Sequence, residues 1–263
     1  MKIIKESVIL ICLTSFVLGL IGCTRPLDND QSQPFTKRDI IDLSEAIDNK
    51  AEIELKVGDL AVFGAYEQDD DTKNGREKIK WIVLAVENDK ALLLSEKILN
   101  SKAYNEEYTK VTWESCTLRG WLNSDFYNSA FSDVEKTIIL PSELDNESTY
   151  PTNVYGGNKT QDKVFLLSYK EATNPSYGFN SDSSYKDSLR MAKGTDFAID
   201  SGLFVFPDWE DKKDLGFNYW WLRSLGGGQN RAAIVRRDGS VFKKSYYVNY
   251  SYIGVRPAVW ISL

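Results

Sequence analysis

No histidine occurs anywhere in the 263 residues. That absence excludes Ser-His-Asp hydrolysis, Cys-His proteolysis, imidazole metal sites and histidine proton shuttles together, because each needs a side chain that ligates or changes charge near neutral pH. Cysteine is almost as scarce, with Cys12, Cys23 and Cys116 alone. A long apolar run is lacking too: the stretch from Val8 to Leu20 falls short of the roughly 20 residues that span a bilayer as a helix. Nor is there a basic excess. The formal net charge is −6, which speaks against general nucleic-acid binding. What remains, 42% hydrophobic and 27% charged residues, is the composition of a folded, mildly acidic domain.

The N-terminus has the order of a secretory signal: Lys2 and Lys5, an apolar run, then small residues. Leu20, Ile21, Gly22 and Cys23 resemble the lipobox of bacterial lipoproteins, in which the cysteine is lipidated and becomes the new N-terminus; Glu6 departs from the charge pattern. The resemblance implies a signal peptide over 1–22 and a protein held at the cell membrane through Cys23, facing the extracytoplasmic side. Several acyl chains make such an anchor stable where one is marginal. Cys12 would leave with the signal, so Cys116 is the one thiol of the folded part and no internal disulfide forms. Losing Lys2, Lys5 and Glu6 leaves the mature chain at −7.

Residues 24–35 read as a polar spacer, and 23–52 together as anchor and linker with a short helix. Thr36 and Asp39 form its capping pair, Ile40, Leu43 and Ile47 its apolar face, and Asn49 its end. This helix either packs on the domain or lengthens the stalk. From Ile53 the period becomes two, through Leu55 and Val57, followed by strands over 59–66, 79–86 and 91–94, with Asn74-Gly75 as a hairpin signal. Thr112 opens a helix with Trp113, Cys116, Gly120 and Trp121 on one face, and Ser132 with Glu135 opens a second. A long loop over 141–163 precedes a strand over 164–167. A weakly patterned region over 170–215 follows, then strands over 220–222, 232–235 and 255–261, with a turn at Asp238-Gly239. This predicts one α+β domain over 53–263.

Several strings together resemble the DUF6273 family of bacterial proteins. They are Gly58, Asp59, Phe63, Gly64 and Tyr66 with Glu67 and Gln68; Trp81 to Leu84; Trp113, Leu118, Arg119, Trp121, Leu122, Asn123, Phe126 and Tyr127; Thr160 to Ser168; Trp220 to Ser224; Asp238 to Val241; and Gly254 to Ala258. The resemblance runs over 57–263 and implies architecture rather than chemistry, since the family carries no established activity. The C-terminal pattern also resembles C-type lectin-like folds. That likeness implies antiparallel strands at both ends with short helices between, first and last strands paired or adjacent, and a ligand surface on irregular loops. Fold likeness does not establish function.

Cys116 lies on an apolar helix face without a histidine to activate it, so it reads as core. Asp69, Asp70 and Asp71 near Asn74 suggest calcium ligands, but Lys73 breaks the loop spacing and no terminal glutamate stands at the right distance, so no metal and no cofactor are assigned. No acid pair has spacing that favours glycoside hydrolysis. The positive feature is a crowd of aromatics, Tyr246, Tyr247, Tyr250 and Tyr252, beside Asn249, in a stretch from Arg223 to Arg256 with seven basic residues and one acid. Tyrosine gives wide contact area at low entropy cost, and asparagine gives adaptable hydrogen bonds. The alternative is a strand with one buried tyrosine row. Arg223 and Arg256 read as structural.

These residues point to a surface lipoprotein with no catalytic residue assigned. Arg236, Lys243, Tyr246, Tyr247, Asn249, Tyr250 and Tyr252 are its expected contacts for an anionic glycan, cell-wall polymer or surface protein. A cell-envelope enzyme with a carboxylate site, or a purely structural lipoprotein, are the other classes; a cleft of convergent buried acids would favour the enzyme.

Overall fold

The computed structural model describes residues 40–49, 51–147, 153–206 and 216–263. The expected signal run, Cys23, the spacer and the Thr36 cap lie outside the described residues. The fold is mixed α+β, mostly sheet with short helices. A meander of alternating apolar residues forms Leu60–Tyr66 (β2), Glu77–Glu87 (β3) and Lys90–Ser95 (β4), each antiparallel to the next. Ala258–Ser262 (β13) pairs with β4, and Ile139–Leu140 (β6) closes that edge. At the other edge Ile40–Asp42 (β1) runs parallel to β2, completing a six-stranded sheet.

A second sheet has five strands: Val241–Tyr247 (β11), Arg231–Val235 (β10), Trp220–Leu225 (β9), Gly254–Val255 (β12) and Asn100–Ser101 (β5), in that order. Trp81, Trp113, Trp220 and Trp221 are wholly buried in one hydrophobic core. Burial of each such ring stabilises the fold by about 4–6 kcal/mol on area alone.

The structure corrects several expectations. The first and last strands share a sheet, but β3 and β4 stand between β2 and β13, so they are neither paired nor adjacent. The expected strand over 255–261 is two strands in two sheets, because Pro257 has no N–H to donate and Arg256 turns into the core. Val164 to Leu167 is buried but forms no strand beyond a bridge from Phe165 to Ala258. Side chains and a neighbouring strand satisfy its backbone instead: Asn123 serves both the N–H and the C=O of Val164, and Arg223 donates to Leu166 and Leu167. Residues 53–57 are likewise not a strand, since a turn at 56–59 takes over, with the Lys56 N–H on the Asp59 carboxylate at 2.8 Å and Gly58 at φ 93°.

The helix expected from Thr36 begins at Leu43 (α1, Leu43–Asp48), with Asp42 as its cap and Asn49 at its end. It packs on the domain. Glu135, at the start of α4 (Asp133–Lys136), accepts from the Ser44 hydroxyl at 2.6 Å and from the Gly64 N–H at 2.9 Å, tying α1 and β2 together. The folded unit therefore reaches back past residue 53 into the segment read as linker. Within the long loop, Ser142–Leu144 (β7) and Thr160–Asp162 (β8) pair as a two-stranded sheet.

Candidate functional site

The bulge between β10 and β11 sets the geometry of the expected contact face. Ala232 and Ile234 are two residues apart on β10, yet they face Tyr246 and Phe242, four apart on β11. The extra residues put Phe242 and Tyr246 edge to face, with ring centroids 6.2 Å apart. From Tyr246 a closed circuit of six rings runs through Tyr250, Tyr252, Phe204, Phe206 and Tyr219 and back, with centroid separations of 4.8–6.2 Å. Each spacing lies in the range of attractive aromatic pairs. Tyr247 joins from outside the circuit, contacting Tyr250 and Tyr108.

The rings are half-buried: Tyr219, Tyr246, Tyr250 and Tyr252 rest on the core by one side, while Phe204 is 49% exposed. Burial raises the hydroxyls of Tyr219 and Tyr252 above the ordinary tyrosine value, so both remain neutral donors at physiological pH. Three guanidinium groups lie over rings of the cluster: Arg231 over Tyr247 at 3.9 Å, Arg236 over Phe242 at 4.2 Å and Arg237 over Phe206 at 4.7 Å. Such contacts hold the cations in place over the apolar surface.

The structure thus brings Arg236, Tyr246, Tyr247, Tyr250 and Tyr252 together, with Asn249 exposed beside them. It does not bring Lys243. That side chain sits over Tyr169, at 4.4 Å, on the rim of a separate cleft of about 660 Å³. Arg223 and Arg256 are buried, in keeping with their structural reading, so neither adds to the charge of this face. Sequence reasoning missed Phe204, Phe206 and Tyr219, which lie far along the chain; the signal that marked the first two was an apolar Phe-Val-Phe string in a polar region.

The cleft holds Glu143, Asp145 and Glu147 from the long loop, with Glu171, Tyr177 and Arg223 deeper in. Glu171 is not a poised acid. It caps its own helix (α5, Tyr169–Ala172) through the Ser168 N–H at 2.7 Å and is bound by the Arg223 guanidinium. Burial works to raise its carboxyl, but Arg223 and the Ser168 hydrogen bonds together hold it below the usual range. Burial, with the charge of Glu171, pushes the Tyr177 hydroxyl up to about 12. Cys116 is also inert: it is buried, and its thiol is pushed up to about 12 by burial.

Four of the residues behind the family resemblance meet in one hydrogen-bonded group. Asp162, buried, accepts from the Trp113 indole at 2.8 Å, from Arg119 at 2.6 Å and from the Thr160 hydroxyl at 2.8 Å. A family described as "Domain of unknown function (DUF6273)" matches residues 88–263, two thirds of the chain. The chain belongs to the DUF6273 family. No curated protein and no solved structure matches it. Among the described residues, no helix of this DUF6273 protein is long and apolar enough to cross a membrane.

Proposed function

We propose that this DUF6273 protein is a lipid-anchored surface protein whose lectin-like domain binds an anionic extracellular glycan or cell-wall polymer on the aromatic face. The observation that carries the reading is the closed circuit of six half-buried rings bordered by Arg231, Arg236 and Arg237. Sugar rings present apolar C–H faces that stack on such a platform, while guanidinium N–H groups recognise carboxylate or phosphate in planar, paired geometry. The lectin-like reading is supported by a mixed α+β fold whose ligand-facing rings include a non-strand segment, Phe204 and Phe206.

An enzyme is the weaker reading, because the most buried acid of the cleft, Glu171, is committed to Arg223 and to its helix cap. The membrane anchor rests on the Leu-Ile-Gly-Cys string at 20–23. Cys23→Ser should move the protein out of the membrane fraction; a variant retained at the wild-type level removes the anchor from the proposal. Binding is tested with the purified full chain in detergent on an array of glycans and isolated cell-wall polymers. Selective retention on anionic polymers is expected, and retention equal on neutral and anionic polymers, or on none, overturns the reading.

A further inference from the structure

We propose that the hairpin joining β2 and β3 is a calcium-binding site built by the carboxylates of Glu67, Asp69 and Glu77. One oxygen from each lies within 4.8 Å of the others. Calcium, held at about 2.3–2.6 Å by flexible sets of oxygens, bridges ligands up to about 5 Å apart, whereas magnesium demands a tighter octahedral set. Three acids alone do not make a site, and the independent sign is Glu67. Its side chain is 8% exposed, and Oε1 is buried with no hydrogen-bond partner among the described residues. Leaving a buried carboxylate oxygen unpaired is costly, and more so when the neighbours carry the same charge.

Among the described residues no lysine or arginine forms an ion pair with any of the three, and Lys78, next to Glu77, is drawn away to Asp42 at 2.6 Å. The loop also holds the ligands in place. Asp69 accepts from the Asp71 N–H at 3.0 Å and from the Asn74 amide at 2.8 Å, and Glu77 accepts from the Gln68 N–H at 2.6 Å. Each carboxylate keeps further lone pairs for a metal. A cavity of about 280 Å³ adjoins the cluster, lined by Asp69, Glu77, Glu96 and Asp196 and also by Lys78, Lys80 and Lys97.

The site is not a continuous calcium loop. Tyr66 pairs with Glu77, so Glu67 and Glu77 stand across the mouth of the hairpin and Asp69 closes the set from within it.

The test uses the full chain in detergent, stripped with chelator and then titrated with calcium chloride or magnesium chloride, reading Tm and the heat of binding. Calcium at about a hundred times its dissociation constant should raise Tm by about 5–10 °C, and magnesium by much less. Glu67→Gln keeps the shape and removes the repulsion. It should melt at or above the stripped wild type, yet lose the calcium response; Asp69→Asn should weaken calcium binding at least ten-fold. A wild-type Tm indifferent to calcium, or a Glu67→Gln protein that responds like wild type, overturns the site, and equal responses to magnesium overturn its selectivity.

Discussion

Two groups of arginine in the same protein differ in their surroundings. Arg190, Arg223 and Arg256 are almost wholly buried and donate to main-chain carbonyls, with Arg223 and Arg256 also standing over Phe165 and Trp220, whereas Arg231, Arg236 and Arg237 are half-exposed and lie over rings of the aromatic cluster. Arg190 is the extreme case. Its five N–H donors reach the carbonyls of Ala172, Asn180, Asp182, Tyr185 and Gly239 at 2.5–3.3 Å, gathering a segment with little regular structure. The guanidinium fork supplies what a strand ladder supplies elsewhere, a donor for each buried carbonyl. Formal charge along the chain therefore says little about steering until burial is known.

The largest test of that contrast is Arg190→Met, which fills the space but leaves five carbonyls without a donor, those of Ala172 and Gly239 buried and the other three part-buried, and leaves the Asp187 carboxylate without its cation. Each orphaned group costs about 1–3 kcal/mol, so a loss of about 5 kcal/mol or more is expected in urea unfolding, against under about 1 kcal/mol for Arg236→Met. Similar losses for both would erase the distinction. Gly239 belongs to the same assembly: it holds φ 78°, and a Cβ there would lie 2.0 Å from the Asp187 carbonyl oxygen.

The Arg223–Glu171 pair should show a somewhat smaller effect, of about 3 kcal/mol, when Glu171→Gln leaves the buried guanidinium uncompensated. Its pH dependence has a fixed sign. Because the folded Glu171 carboxyl lies below its ordinary value, its contribution is complete above the usual carboxyl range and disappears as pH falls through the folded value. Acid unfolding of the wild type should steepen there, and the Gln variant should lack that part of the slope.

How far these features were legible in the sequence depended on the range of the interaction. The β2–β3–β4 meander, the Ser132–Glu135 cap and the Asp238-Gly239 turn rest on near neighbours, and periodicity or a short motif revealed each. Arg190 was invisible because its partners lie 5–49 positions away and impose no period. The same reason hid the join of Phe204 and Phe206 to the tyrosine cluster. Lys243 stands over Tyr169 and away from the rings, because it follows Phe242 on β11 and successive strand residues face opposite sides. Spacing also failed for Glu67 and Glu77, which strand pairing brings across a hairpin mouth.

On the aromatic side of the comparison, Tyr246→Ala with Tyr250→Ala removes two adjoining members of the ring circuit and should weaken polymer binding by at least ten-fold, about 1.4 kcal/mol. Circular dichroism and Tm would verify that the domain stays folded. Unchanged binding in a folded double variant would reduce the face to scaffold and move attention to the cleft, to which the 141–163 loop contributes Glu143, Asp145 and Glu147.

The smallest expected effect concerns Arg236, and its value lies in the kind of change rather than its size. Arg236 rests over Phe242 at the edge of the ring cluster and is half-exposed, so its charge acts mainly on the approach of an anionic polymer. Exposed charges interact weakly beyond about 8 Å at physiological salt, and a rim charge alters association more than dissociation. Arg236→Gln should therefore slow association by about two- to five-fold at low salt while leaving dissociation nearly unchanged, and the difference from wild type should shrink as salt rises. Surface plasmon resonance at several ionic strengths separates the two rates. A faster dissociation that persists at high salt would mean that Arg236 makes a direct, desolvated contact. It would then stand with the anchoring residues of the site, and the division between structural and steering arginines would need a third group.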